Sequence, residues 1–449
     1  MTTPTQLKMG FTGLNEVQEI KKPELSNGRA NKLDPHDRAF HDWYRFVLSF
    51  PPHLVRDYIE KFGLNKNSVI LDPFCGTGTT LIEAKLAGMA TFGIEGNPFP
   101  YFASLVKTDW NLDANELSTR TRQVANKALT ILKSQGIDDN LSFSDGKNFQ
   151  LKTLLPETEK LILTNSISPL PLHKTLILLE CLKQYEDEPF YRHALLALGN
   201  SIVFKISNLH FGPEVGVKNP KADIPIISNW ILEIEKMAND LRLVEGKSYP
   251  DTQIHLADAR NLDIIESNSV DAVITSPPYP NEKDYTRTTR LESVLLGFIN
   301  NKEELRELKK RLVRSNTRGI YKEDDDDQWV SDFPEIQRIA DEIEKRRIEL
   351  GKDSGFERLY PRATKLYFGG MAKHLADLRK VLRPGAQLAY VVGDQASYLR
   401  VMIRTGQILG DIAQKLGYEL VDIDLFRTRL ATATKKQLRE EVVILKWRR

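Results

Sequence analysis

"SVILDPFCGTGTTLIEAKLAGMATFGIEGNP", Ser68 to Pro98, is the stretch on which the fold turns. Its apolar start, "SVILDPF", reads as a short buried strand. "GTGTTLIEAKLAG" reads as a tight turn entering a helix that stops at Gly88. "ATFGIEGNP" reads as a second strand, ending at Glu95. Strand, turn, helix and strand make a βαβ unit, which predicts a parallel sheet in an α/β fold. Gly76 and Gly78 let the turn take positive φ and let a ligand approach the main chain closely. The start of the following helix offers unpaired amide groups.

Three ligand chemistries compete for such a turn. A phosphate loop needs a Lys-Ser/Thr pair after its last glycine; here Thr79-Thr80 follows, with no lysine until Lys85. A nicotinamide-dinucleotide turn wants a third glycine where Leu81 stands. S-adenosylmethionine carries a cationic amine and no phosphate, which suits Asp72 at the strand end. Glu95 is then placed to accept from the ribose hydroxyls. Asp258, in "LADARNL" after a third strand, is placed to accept from the adenine amine, with Ala259 beside it. Cys75 reads as a small packed side chain rather than a nucleophile.

Further along, "VDAVITSPPY" ends an apolar run, Val270 to Thr275, in Ser276-Pro277-Pro278-Tyr279. Proline donates no ladder hydrogen bond, so this strand stops there on a hydroxyl, two rigid rings and an aromatic expected to be exposed. Upstream, "FHDWYRFVLSFPPHLVRDYIEKFGL" predicts an aromatic-rich helix followed by a second starting near Pro52. Residues 100–250 interrupt the sheet with helical periodicity, apart from the loop-like "NLHFGPEVGVKNPKADIP". Residues 300–360 are polar, and their acidic run Glu323 to Asp327 reads as a mobile solvated loop. "MAKHLADLRKVLRPGAQLAYVVGD" predicts helix, Pro-Gly turn and strand. "IRTGQILGDIAQKLGYELVDIDLFRTR" predicts helix and strand, and "REEVVILKW" a last strand.

The 449 residues, 41% hydrophobic and 28% charged, suit a globular protein with a sizeable core. The 63 Lys and Arg against 61 Asp and Glu give a net charge of +2, which neither demands nor excludes a polyanionic partner. Two separated cysteines build no disulfide framework or zinc cluster, and the eight histidines lack metal-ligand spacing, so no metal is expected. The N-terminal stretch has no apolar signal core and no run of about eighteen apolar residues occurs, so a cytoplasmic location is expected.

"DPFCGTGTT" followed by "TSPPY" closely resembles the amino-group DNA methyltransferases, the cytosine-N4 and adenine-N6 methylases. "FPPHLVRDYI" looks like their segment that packs on the methionine end of the cofactor. "VLRPGAQLAYVVGD" and "EEVVILKW" resemble later core strands. The resemblance covers about half the chain. It implies a Rossmann-like S-adenosylmethionine-dependent fold, mostly parallel with helices on both faces and two largely helical insertions. Asp72, Pro73, Phe74, Cys75, Gly76, Thr77, Gly78, Thr79, Glu95, Asp258 and Ala259 would then hold S-adenosyl-L-methionine. Ser276, Pro277, Pro278 and Tyr279 would form the catalytic tetrad. The cofactor motif precedes the tetrad, whereas many members with this wording carry the reverse order.

On this reading the chain divides into an arm (1–35), the cofactor half of the core (36–99), a helical insertion (100–250), the core with the tetrad (251–299), a polar insertion (300–365) and a C-terminal core (366–449). Both insertions are candidates for contacting DNA. Lys218, Asn219 and Lys221 lie in the first. Arg311, Arg314 and Arg318 lie in the second. Arg287 and Arg290, just after the tetrad, would grip phosphates or pair with local acids.

An aromatic exocyclic amine is a poor nucleophile, because its lone pair is delocalised into the ring. Accepting both amine protons, at the Ser276 hydroxyl and the Pro277 carbonyl, favours a tetrahedral nitrogen and frees that pair. Tyr279 offers a flat face for a base rotated out of the duplex. The expected function is therefore site-specific methylation of double-stranded DNA, with cytosine N4 ahead of adenine N6. The setting would be restriction–modification or related defence, with a cognate endonuclease as candidate partner. The alternatives are an RNA base-amine methyltransferase and a catalytically silent DNA-binding adaptor.

Overall fold

β1 (Val69–Asp72) and β2 (Ala90–Glu95) flank the Thr79–Leu86 helix and pair in parallel, Val69 beside Ala90 and Asp72 beside Gly93. These coordinates are a computed structural model that describes residues 33–45, 49–140, 150–212, 214–281, 283–430 and 437–449. The arm expected over 1–35 falls almost wholly outside them.

Seven more strands follow: β3 (Leu209–Phe211), β4 (Val215–Val217), β5 (Thr252–Leu256), β6 (Val270–Thr275), β7 (Leu382–Gly393), β8 (Glu419–Leu430) and β9 (Gln437–Lys446). The main sheet runs β5-β2-β1-β6-β7-β9-β8. Its first five strands are parallel neighbours, and β9 runs antiparallel to β7 and β8. This is the mostly parallel Rossmann-like α/β sheet expected of a methyltransferase. The chain moves outward from β1 to β2 and β5, then returns to lay β6 and β7 on the other side of β1. Strand order therefore reverses between β1 and β6, and ligands bind such sheets outside the carboxyl ends at that point.

Both faces of the sheet are covered, and successive side chains alternate between them. Ile70, Ala272 and Ile274 pack with Leu54, Val55 and Tyr58 of the Pro52–Lys61 helix. Leu71 and Val273 pack with Tyr367, Phe368 and Met371 of the Tyr360–Leu378 helix. Between β2 and β5, the Ala114–Ser134, Pro169–Lys183, Tyr191–Ser201 and Ile227–Val244 helices close over a separate core. The Ala114–Ser134 helix is capped by Asp113, whose carboxylate accepts from Asn115 and Glu116, and it buries Leu117, Thr121, Val124, Ala128 and Leu132 at helical spacing.

Several local expectations give way. Among its described residues the aromatic segment forms a 3-10 turn, His41–Trp43, with Phe40 at φ 61°. The Asp240 carboxylate accepts from both the Phe40 amide and the Trp43 indole, a tertiary demand that a continuous helix does not meet. The loop-like stretch after Asn208 holds the β3–β4 hairpin, Leu209 beside Val217. β7 begins before its Pro-Gly pair, which sits where pairing with β6 slips between Val270 and Ala272. The acidic run is no mobile loop. Asp326 is buried and ion-paired with Arg260 and Lys373, and Asp324 holds Arg314. Gly369 makes room for this segment: a Cβ there would stand 1.9 Å from the Asp326 carbonyl oxygen.

Candidate active site

Asp72 ends β1 and Thr275 ends β6, on either side of the reversal in strand order. The Thr275 hydroxyl donates to Asp72 Oδ1 at 2.6 Å, and the Phe74 amide donates to the same atom at 3.1 Å. Asp72 is wholly buried, which pushes its pKa up to about 6 against the pull of these hydrogen bonds. The turn that follows places Gly76 at φ 52° and Gly78 at φ 85°. Gly78 must be glycine on a second count, since an added Cβ would lie 3.1 Å from Ser104 Cβ.

Glu95 ends β2 and braces the turn. Its Oε2 accepts from the Gly76 amide at 2.9 Å and its Oε1 from the Asn97 amide at 2.8 Å. Burial pushes its carboxyl up to about 7, against those amides. Lys107, which the sequence reading missed, ties the turn from below. Its buried amine donates to the Thr77 carbonyl at 2.8 Å and to the Tyr44 carbonyl at 3.0 Å. Nothing in "ASLVK" distinguishes such a lysine from an ordinary helix-end cation.

A cleft of about 900 Å³ opens over these strand ends. Pro73, Phe74, Cys75, Gly76, Thr77, Thr79, Glu95 and Ala259 line it, as do Ser276, Pro277, Pro278 and Tyr279. Asp72, Gly78 and Asp258 are absent from its wall. Asp258 faces Arg260, whose guanidinium donates to it at 2.7 and 2.9 Å, so the carboxylate expected to meet an adenine amine is already engaged. Ala259 is held from behind by His374, whose Nδ1 lies 2.7 Å from the Ala259 carbonyl and whose Nε2 lies 2.7 Å from the Tyr390 hydroxyl. Burial lowers the His374 pKa to about 4, so the ring is neutral. With the Ala259 carbonyl able only to accept, Nδ1 carries the proton and the Tyr390 hydroxyl donates to Nε2. Cys75 is buried and burial raises its thiol pKa, an inert environment.

The tetrad has its own supports. The Ser276 hydroxyl donates to the Val391 carbonyl at 3.2 Å, which leaves its lone pairs as acceptors. The Tyr279 amide donates to the Tyr285 hydroxyl at 3.1 Å. The Tyr279 ring, expected to be exposed, is half-buried: a Cβ on Gly393 would lie 2.9 Å from it. The glycine in "VVGD" thus clears the space that the tyrosine fills.

The arginines expected to grip phosphate differ among themselves. Arg314 is buried, donating to Asp324 at 2.7 and 2.9 Å and to main-chain carbonyls, so its donors are spent inside the protein. Arg290 donates to the Thr286 hydroxyl and carbonyl of its own turn. Arg287 and Arg318 both face Glu214, at 3.3 and 3.7 Å. Arg311 lines the cleft. Lys221 donates to the Ser207 carbonyl at 2.8 Å and is structural, while Lys218 and Asn219 are exposed.

The cleft fits S-adenosylmethionine. A Cβ on Gly76 would meet nothing within 4 Å, so the turn presents bare main chain to the opening. Glu95 lines the same space with a carboxylate. Among the described residues no group of three or more His, Cys, Asp or Glu could hold a metal ion, and no helix is long and apolar enough to cross a membrane.

A family model described as DNA methylase, of N6 and N4 specificity, matches residues 16–101. The Type II methyltransferase M.BsoBI of Geobacillus stearothermophilus is 27% identical over 462 residues, spanning 96% of this chain and 88% of that protein. The Type II methyltransferase M.AvaI of Nostoc sp. is 25% identical over 489 residues, spanning 99% and 92%. A tRNA (guanine(10)-N2)-dimethyltransferase of Methanothermobacter thermautotrophicus is 38% identical over 71 residues, 16% of this chain and 20% of its own. By its sheet, its motifs and these relatives, the chain is similar to the N6 and N4 amino-group DNA methyltransferases.

Proposed function

We propose that the protein methylates the exocyclic amine of a base rotated out of double-stranded DNA, with cytosine N4 as the target. S-adenosylmethionine would supply the methyl group as an electrophilic sulfonium, held by Phe74 to Thr79, Glu95 and Ala259. The observation that carries the reading is the shared cleft: the glycine turn and the tetrad open into one space, joined beneath by the Thr275–Asp72 hydrogen bond. A donor and an amine bound there are held for reaction by position alone.

Ser276 gives its proton to the Val391 carbonyl, so toward the cleft it acts as an acceptor for an amine hydrogen. Pro277 and Pro278 fix φ, and the Pro277 carbonyl supplies a second, preset acceptor. These bonds strengthen as the amine becomes tetrahedral, so they favour the transition state over bound substrate. Tyr279, backed by Gly393, supplies the stacking face. Serine at the head of the tetrad favours cytosine. The near full-length likeness to two Type II methyltransferases supports DNA as substrate and a role beside a restriction endonuclease. The short likeness to a tRNA methyltransferase supports an RNA substrate as the second reading.

Expression in a host without DNA methylation, followed by single-molecule sequencing of its genome, tests the proposal. N4-methylcytosine at one short sequence is the expected result. Unmodified DNA, with methyl transfer to RNA in the same cells, would overturn it.

A further inference from the structure

Six cationic side chains reach the wall of the cleft, and four are already paired. Lys309 meets Asp284 at 2.9 Å and Arg314 meets Asp324 at 2.7 Å. Arg427 and Arg429 meet Glu440 at 2.5 and 3.5 Å. Lys283 and Arg311 make no ion pair among the described residues. Arg311 belongs to the cofactor side, because its carbonyl oxygen would lie 3.6 Å from a Cβ on Gly96, next to Glu95. Lys283 belongs to the tetrad side, four residues beyond Tyr279.

The main chain at Lys283 is fixed on both sides. Its amide donates to Asn281 Oδ1 at 2.8 Å, and its carbonyl accepts from Asn316 Nδ2 at 3.0 Å. Among the described residues the ammonium has no such tie. Partial burial, then the positive charge of Arg429, lowers its pKa, and Arg429 also acts on Tyr279. A half-buried cation without a counter-charge, in a concave site, is costly unless a ligand supplies an acceptor.

Resting on the DNA-methylation reading above, we propose that Lys283 is a specificity residue that donates to the O2 and N3 edge of the flipped cytosine. Cytosine presents a keto oxygen beside its ring nitrogen, whereas adenine presents ring nitrogens alone. Ser276 and Pro277 take the amine end of the base, Tyr279 its face, and Lys283 the opposite edge. A base read on its hydrogen-bonding edge as well as its face is the usual economy of flipping enzymes.

The test begins with the mapped recognition sequence. Two duplexes are compared, one intact and one abasic at the target position, by affinity at fixed salt. Lys283→Met should weaken the intact duplex at least tenfold and leave the abasic duplex unchanged. Lys283→Arg, which keeps a donor, should restore most of the loss. Cofactor affinity and thermal midpoint, measured alongside, should match the wild type in both variants. An equal loss on both duplexes would make Lys283 a phosphate grip, and no loss on either would leave it without a role; both overturn the proposal while methylation itself stands. An adenine target in the genome map would overturn it together with the cytosine reading.

Discussion

At Gly393 one missing methyl group decides where the Tyr279 ring can lie. A Cβ there would meet Tyr279 Cε2 at 2.9 Å and Cδ2 at 3.3 Å. Gly393→Val should push the ring off its place, lowering single-turnover methyl transfer at least tenfold while cofactor affinity holds. Unchanged transfer would remove Tyr279 from base stacking. Ser276→Ala makes the complementary test. It takes away an acceptor that matters most in the transition state, so kcat should fall about 100-fold with little change in KM. The glycine turn and the Ser-Pro-Pro-Tyr stretch were legible because glycine and proline end an apolar strand pattern abruptly. Thr275 lay inside the same motif and Gly393 inside a quoted strand, yet their partners, Asp72 and Tyr279, lie about 200 and 114 positions away. No local pattern announces a contact at that separation.

Elements hold the site through buried polar links, and the clearest is between the aromatic segment and the helix after the tetrad. The Tyr44 hydroxyl donates to Glu292 Oε1 at 2.5 Å. Glu292 is fully buried, and that burial pushes its carboxyl up to about 8, against the Tyr44 bond. Its folded pKa lies above its unfolded value of 4.5. The folded state therefore binds the extra proton between those values, and Glu292 costs stability increasingly as pH rises through that window. Glu292→Gln removes the cost and can still accept from Tyr44. The stability gap in favour of the variant should widen by roughly 1.4 kcal/mol per pH unit between about 5 and 8, then level off. Chemical denaturation at several pH values reads this directly, and a flat gap would mean that Glu292 ionises freely in the fold. The acidic run was misread at this same scale. Charge density alone suggests solvent, but Asp324 and Asp326 have dedicated cations in Arg314 and Arg260. The signal for their docking was Gly369-Gly370 inside an otherwise strong helix, where glycine is costly without a packing reason. Gly369→Val would meet main chain that has nowhere to move, and should destabilise the protein by about 1–3 kcal/mol in the same assay.

Over the whole molecule, the two insertions meet beside the cleft, where the Glu214 carboxylate faces Arg318. Glu214, beside the β3–β4 hairpin, lines the cleft with its side chain more than half exposed, and it faces Arg287 after the tetrad and Arg318 from the polar insertion. The parallel pairing of the first strands was readable from the βαβ unit, but this convergence was not, because hairpin and arginines are joined only through the fold. If the protein acts on DNA as proposed, then with Arg314 spent on Asp324 the grip on phosphates would fall to cations that can leave a weak, solvent-screened partner. Arg287 and Arg318 are such cations. An incoming phosphate must compete with Glu214 for both. Glu214→Gln should therefore raise affinity for duplex DNA of any sequence. It should also steepen the fall of log K with log salt by up to about 1.8, the increment for two further phosphate contacts at about 0.9 each. Equilibrium binding across a salt series, with a duplex lacking the recognition sequence, separates this from a specific effect. A drop in affinity, with the slope unchanged, would mean that Glu214 orients the two arginines rather than occupying them.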